Sequence, residues 1–282
     1  MQNKNLNHGD TETLRKRILR AFVFPWSSRV LLWLAPILFL LSYFFLPLSK
    51  ILFLAFNISA LTQTNFQLIL STLSFTFYQA ALSTILTFAL GIPSAILFSR
   101  FNFRGKSLLR ALTAVPFMLP TVVVASSFNA LVGNHGLFSF LFPNPSFLIP
   151  NFILHPSPFI LILTAHVFYN TTIVIRIVGN ALSRLDPKLE QAARSLGADT
   201  FRVWKNITLP LLRPSLLAAA LLVFMFDFTS FGVILLLGGS NFSTLEVEIY
   251  LRVLKLPNLP LAALLSIVQL IFTLIFSILY TR

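Results

Sequence analysis

Ser183–Pro214 reads SRLDPKLEQAARSLGADTFRVWKNITLPLLRP, a polar, charged interval set between apolar segments. Leu189, Ala192, Ala193 and Leu196 recur at i, i+3, i+4 and i+7, the spacing of one helical face. Asp186 is placed to cap that helix, Pro187 suits its first turn, and Gly197 is placed to end it, because glycine tolerates a left-handed C-cap. A second short turn is expected over 200–206, carrying Phe201, Val203 and Trp204, before Pro210 and Pro214 open a new apolar segment. The stretch therefore predicts a helix–turn–helix between two membrane spans, with small residues that allow a partner to approach closely.

Composition places the chain in a bilayer. Of 282 residues 56% are hydrophobic and only 10% charged, and the mean hydropathy is +0.85; few soluble domains carry so little charge. The absence of cysteine excludes disulfides and thiolate metal sites. His8, His135, His155 and His166 show no ligand spacing, so neither metal nor cofactor is expected. Gly105-Lys106-Ser107 suggests a phosphate loop, but Arg100 stands where that loop needs glycine.

Six stretches are apolar enough to cross a bilayer, which takes about 20 residues each. They lie near Val30–Leu48, Leu70–Ser99, Ala111–Val132, Phe159–Val178, Leu211–Leu237 and Leu261–Tyr280. The expected fold is an all-α membrane protein: a basic tail over 1–29, then one transmembrane domain over 30–282 that includes the 183–210 loop. In the tail, Leu14, Ile18, Ala21 and Phe22 suit a short interfacial helix. Gly133–Pro158, without Asp, Glu, Lys or Arg and rich in Phe and Pro, is expected as irregular chain in the outer interface.

Basic residues collect on the cytoplasmic side of membrane proteins. With both termini inside, all but Lys50, Arg252 and Lys255 of the 21 lysines and arginines fall on that side. The net charge of +13 is then a topology signal, no nucleic-acid partner is required, and the Ser183–Pro214 element faces the cytoplasm.

Gln191, Ala192, Ala193, Gly197, Ile207, Leu209 and Pro210 match the pattern E-A-A-x3-G-x9-I-x-L-P. Here the chain resembles the membrane subunit of a binding-protein-dependent ABC importer. One departure is that Gln191 stands at the pattern's glutamate, with Glu190 just before it. VPFMLPTVVVA (115–125), AHVFYN (165–170), LLLGGS (235–240) and TLEVEIY (244–250) are similar to the iron(III) and thiamine branch of these permeases. Many members of that branch fuse two six-span halves, and this chain resembles the first. The resemblance implies a type I importer transmembrane domain in the cytoplasmic membrane. It also implies a second permease half, identical or different, two ATPase subunits that hydrolyse the ATP, and an extracytoplasmic substrate-binding protein. Its coupling surface would be Leu189, Glu190, Gln191, Ala192, Ala193, Leu196, Gly197, Ile207, Leu209 and Pro210, and its cargo iron(III), thiamine or a related small solute.

Asp227 is the one acid well inside a span, so it is expected to face the bundle or a wet cavity. A place on the translocation path and a structural hydrogen-bonding role stand as equals for it. His166 and Asn170, one turn apart on the fourth span, share a face; interhelical hydrogen bonding is the first expectation and substrate contact the second. Glu246 and Glu248 are expected outside, solvated on a loop helix or facing a receptor. The rival reading is a six-span secondary transporter or channel using Asp227 in an ion-coupled path, with more intramembrane ionisable groups and helices broken at the midplane. An integral-membrane enzyme would need converging His, Asp, Glu or Ser groups, which the spacing does not supply.

Overall fold

Three of the irregularities in the helices of this chain fall beside prolines: two π-turns before Pro47 and Pro210, and a bend at Pro120. The structure is a computed structural model in which residues 26–56, 63–132, 136–137, 157–239 and 242–281 are described. The expected interfacial helix of the basic tail, and nearly all of the 133–158 segment, lie outside these residues. Among the described residues every regular element is helical.

The chain divides into two compact units at Phe53/Leu54. The first carries α1 (Trp26–Leu40), a π-turn over Leu41–Phe45, and the start of α2 (Leu46–Ala55). The π-turn ends two residues before Pro47, whose ring clashes with the carbonyl four residues back, so the ladder widens and Leu46 N–H reaches Leu41 O instead. Trp33, Tyr43 and Phe53 are exposed, as expected of side chains that face lipid.

The second unit starts with α3 (Gln63–Arg100), 38 residues long. At a rise of about 1.5 Å per residue it measures about 57 Å, nearly twice the ~30 Å hydrocarbon layer, so it projects beyond the membrane. It packs along α7 (Pro158–Arg184) and α10 (Leu209–Phe228). Gly91 is needed at the α3–α7 contact, because a Cβ there would lie 2.6 Å from Val174 Cβ.

The third and fifth spans differ from the straight helices expected. The third is α4 (Lys106–Leu112), α5 (Val115–Met118) and α6 (Thr121–Val132), bent by 102° between α5 and α6. Pro120 is the cause: it pushes the residue before it out of helical geometry, and Leu119 is extended at φ −76°, ψ 140°. The fifth, expected as one helix over 211–237, stops at Phe228 and resumes as α11 (Gly232–Leu237). Outside the spans, α12 (Leu245–Leu254) leads to α13 (Leu259–Thr281). Among the described residues, five helical segments are long and apolar enough to cross a membrane, or up to six if the bent pair counts as one.

Lipid tails are as apolar as leucine, so dispersion and polar contacts hold such helices together. Phe77 of α3 touches Phe224 and Phe228 of α10 and Phe272 and Phe276 of α13, with centroids 5.1–6.0 Å apart. Such ring pairs each contribute about 0.5–1.5 kcal/mol beyond the area they bury.

Candidate functional site

Two regions gather the residues singled out by the sequence. The first is the connector between α7 and α10. Helix α8 (Pro187–Ser195) starts with Asp186 accepting from Lys188 N–H at 2.9 Å. It ends in a double cap, with Ala198 N–H on Ala193 O and Gly197 N–H on Arg194 O, and Gly197 at φ +85°. Asp199 then caps α9 (Thr200–Val203), accepting from Arg202 N–H at 2.8 Å. A second π-turn, Trp204–Thr208, precedes Pro210 as the first precedes Pro47. The chain enters α10 from there.

Three large apolar residues of this connector face outward, while Val203 is buried. Leu189 is 48% exposed, Leu196 89% and Phe201 73%, and Gln191, Ala192, Gly197 and Leu209 are exposed as well. Ala193, Ile207 and Pro210 are half-buried at its root. An amphipathic helix resting on its own bundle would instead bury Leu189 and Leu196. Glu190 differs from its neighbours. Arg100 grips both of its oxygens, Nη1 donating to Oε2 at 2.7 Å and Nη2 to Oε1, while Thr208 Oγ1 donates to Oε1 at 3.0 Å. The hydrogen bonds from Arg100, with a further one from Thr208, hold the Glu190 carboxyl below the usual carboxylate range despite its partial burial.

The second region is a cavity of about 370 Å³ whose wall includes both helix breaks. Phe117, Leu119 and Thr121 come from the α5–α6 bend, and Thr229, Ser230, Phe231 and Gly232 from the α10–α11 break. Irregular backbone at membrane depth is tolerated where it is buried in protein or lines a cavity. Tyr169 Oη donates to Leu119 O at 3.4 Å, satisfying a carbonyl that the bend frees.

His166, Asn170 and Asp227, separate in sequence, meet at this cavity. Asn170 Nδ2 donates to Asp227 Oδ1 at 2.7 Å, and His166 Nδ1 lies 3.6 Å from the same oxygen. The imidazole shares hydrogen bonds with Ser83 Oγ at 3.1 Å and Ser230 Oγ at 2.8 Å. Gln79 Nε2 donates to the backbone carbonyl of Asp227 at 2.8 Å, which also accepts from Ser230 N–H at 3.3 Å where the helix ends. Asp227 is fully buried, and among the described residues its Oδ2 has no hydrogen-bond partner. The arrangement can accept a hydrogen bond or hold a proton.

Ser83, Gln79 and Thr76 were not foreseen, although a signal exists. Thr72, Thr76, Gln79, Ser83 and Thr87 recur every three or four residues along an apolar span, and all five are buried. The Arg100–Glu190 contact joins positions 90 residues apart, and local spacing carries no trace of it. Glu248 is not the solvated residue expected: it is 7% exposed and accepts from Ser243 Oγ at 3.0 Å and Arg252 Nε at 2.7 Å. Glu246 accepts from Gln269 Nε2 at 3.2 Å, and burial raises its carboxyl above the usual range.

Bundled apolar spans, two helix breaks around a cavity that holds a few polar groups, and a capped connector with exposed leucines make this a multi-pass transmembrane domain. Residues 88–282 match the family described as binding-protein-dependent transport system inner membrane component. The chain belongs to that family, the permease subunits of ABC importers. It is 30% identical over 250 residues to a probable molybdenum ABC transporter permease protein of Haloferax volcanii, covering 89% of this chain and 88% of that one. It is 32% identical over 209 residues to the thiamine transport system permease protein ThiP of Haemophilus influenzae, covering 74% of this chain but 38% of ThiP. A bacterial ABC transporter involved in the import of the acidic polysaccharide alginate shares the fold, with a TM-score of 0.68, 17% identity, and coverage of 96% of this chain and 99% of that one.

Proposed function

We propose that this chain forms half of a solute path across the cytoplasmic membrane and receives force from separate ATPase subunits through the 183–210 loop. The observation that carries this reading is the outward-facing apolar pair Leu189, in α8, and Leu196, at its C-cap, on a capped helix joined through α9 and a π-turn to α10. A groove on an ATPase subunit would bury that surface. Closure of the ATPase pair would then displace α8, and the packed spans would swing as rigid bodies between inward and outward openings. ATP and the loaded receptor must favour different states, or the displacement does no transport.

A second permease half, identical or different, closes the path in this reading, and an extracytoplasmic binding protein delivers the cargo. Both termini and the loop lie in the cytoplasm, in keeping with the basic residues. His166, Asn170 and Asp227 contribute to the path through the cavity they line. The cargo is a small solute of the range spanned by the relatives, which are named for molybdenum and thiamine. Neither is named for iron, so the iron(III) reading rests on the four sequence motifs alone.

Purification of the complex from membranes tests the proposal. It should contain an ATPase subunit and recruit a soluble receptor, whose bound ligand identifies the cargo. Complexes that never contain an ATPase, or a loop labelled from the outer side of intact cells, refute it. Uptake that persists without ATP hydrolysis would select the rival, an ion-driven path using Asp227.

A further inference from the structure

The acids of the connector are all engaged within the chain. Asp186 caps α8, Asp199 caps α9, and Glu190, one residue before the position where the family pattern has glutamate, is held by Arg100 and Thr208. The Glu190 carboxylate therefore joins three elements. Arg100 is the last residue of α3, Glu190 sits in α8, and Thr208, fully buried, closes the π-turn that enters α10.

A cation in the last turn of a helix faces the negative end of the helix dipole, so Arg100 suits its place before it meets Glu190. A bidentate guanidinium–carboxylate pair also fixes direction as well as distance, which a single contact does not. Arg100 is thus the far end of a continuous helix whose inner part carries Ser83 and Gln79, the residues that touch His166 and Asp227. The 21 steps of the chain from Gln79 to Arg100 rise about 32 Å along one unbroken helix, which runs on through Pro93.

We propose that Arg100 is a positioning residue for energy coupling: with Thr208 it locks α8 to the projecting end of α3, so that displacement of α8 reaches the cavity through α3 as well as through α10. This rests on the permease reading above. It adds a second line of transmission, made by an ion pair within this chain, where chain continuity supplies only the line through α10.

The test uses the full transporter, assembled with its ATPase subunits in liposomes. The chain has no cysteine, so Asn102→Cys and Ser195→Cys, both at exposed positions, place two spin labels across the joint. In the otherwise unaltered chain the distance between them should be narrow, and the same without nucleotide as after trapping with ATP and vanadate. Arg100→Gln should spread or shift it by about 5 Å, one helical turn, while the ATPase still co-purifies and hydrolyses ATP. The exchange Arg100→Glu with Glu190→Arg should restore the narrow distribution, which assigns the effect to the pair rather than to either residue alone. If Arg100→Gln does not assemble, Arg100→Lys, which keeps the charge and loses the fork, should show the same broadening. A distance that changes on trapping in the unaltered joint, or that neither Arg100 variant broadens, overturns the proposal. An assembly without an ATPase overturns the permease reading itself, and is seen before any distance is measured.

Discussion

Asn170 Nδ2 donates a 2.7 Å hydrogen bond to Asp227 Oδ1, tying the middle of α7 to the last turn of α10. A carboxylate at a helix C-terminus sits at the wrong end of the dipole. The place is held by what surrounds it: Asn170 and His166 beside the same side-chain oxygen, Oδ1, and Gln79 on the backbone carbonyl of the same residue. Ending the helix at Phe228, one residue after Asp227, leaves these groups at the cavity wall rather than inside a continuous span.

Replacing Asp227 separates its two roles. Asp227→Leu leaves the Asn170 donor buried without its acceptor and should cost about 1–3 kcal/mol, read as a lower unfolding temperature in detergent. Asp227→Asn keeps an acceptor oxygen for Asn170 and should stay within about 1 kcal/mol. If the cavity is on the path, this milder variant should nonetheless change uptake kinetics. Unchanged kinetics would leave Asp227 a structural acceptor.

Close approach of α3 and α7 depends on a missing side chain. Gly91→Ala would set a Cβ 2.6 Å from Val174 Cβ, a rigid atom of a β-branched residue that cannot swing away. The helix-propensity gain of about 1 kcal/mol is smaller than the strain of separating the two helices, so a net loss of about 1–2 kcal/mol is expected. Val174→Gly removes the contacted atom and should recover part of it in the double variant. Thermal unfolding of the three variants checks the order.

Two substitutions on the connector should spare the fold and stop its work. Ala192 is exposed, so Ala192→Glu should change stability by no more than about 0.5 kcal/mol. Gly197 has open space around it but a φ of +85°, so Gly197→Asp costs about 1 kcal/mol locally through strain alone. Both should insert normally and abolish uptake and coupled ATP hydrolysis, measured against the amount of protein in the membrane. Gly197→Asn, better suited to this conformation, should keep more activity than Gly197→Asp.

Acidification should loosen the connector. The Glu190 carboxyl is held below its ordinary value, chiefly by Arg100, so the folded joint binds fewer protons than the unfolded chain. Its contribution is fully present above the ordinary carboxylate pKa and is lost as pH falls through the lower folded value. Protection of the Leu189–Leu196 amides from hydrogen exchange, corrected for intrinsic rates, should be level from neutral pH to about pH 5. It should fall below about pH 4. Glu190→Gln should abolish that acid step, and a step that survives the change assigns it to another group.

Read along the chain, hydropathy and lysine–arginine placement were enough for a membrane-spanning helical protein, because a bilayer constrains segment length and charge more severely than water does. The connector was equally legible: Asp186, Pro187 and Gly197 act through local backbone chemistry, and each has the structural part its residue type suggested. Pro120 and Pro210 were visible too, but whether a proline bends, widens or breaks a span depends on which neighbour satisfies the freed carbonyl. For Leu119 that neighbour is Tyr169, 50 residues away. Residue types and short spacing thus determined the class, the span positions and the capped helix between α7 and α10. The tertiary structure decided that both helix breaks face one cavity, that Asp227 meets Asn170 and His166 there, and that Glu190 is held by Arg100. Each of these is a contact between helices distant in sequence, fixed by how the helices pack rather than by the order of residues along any one of them.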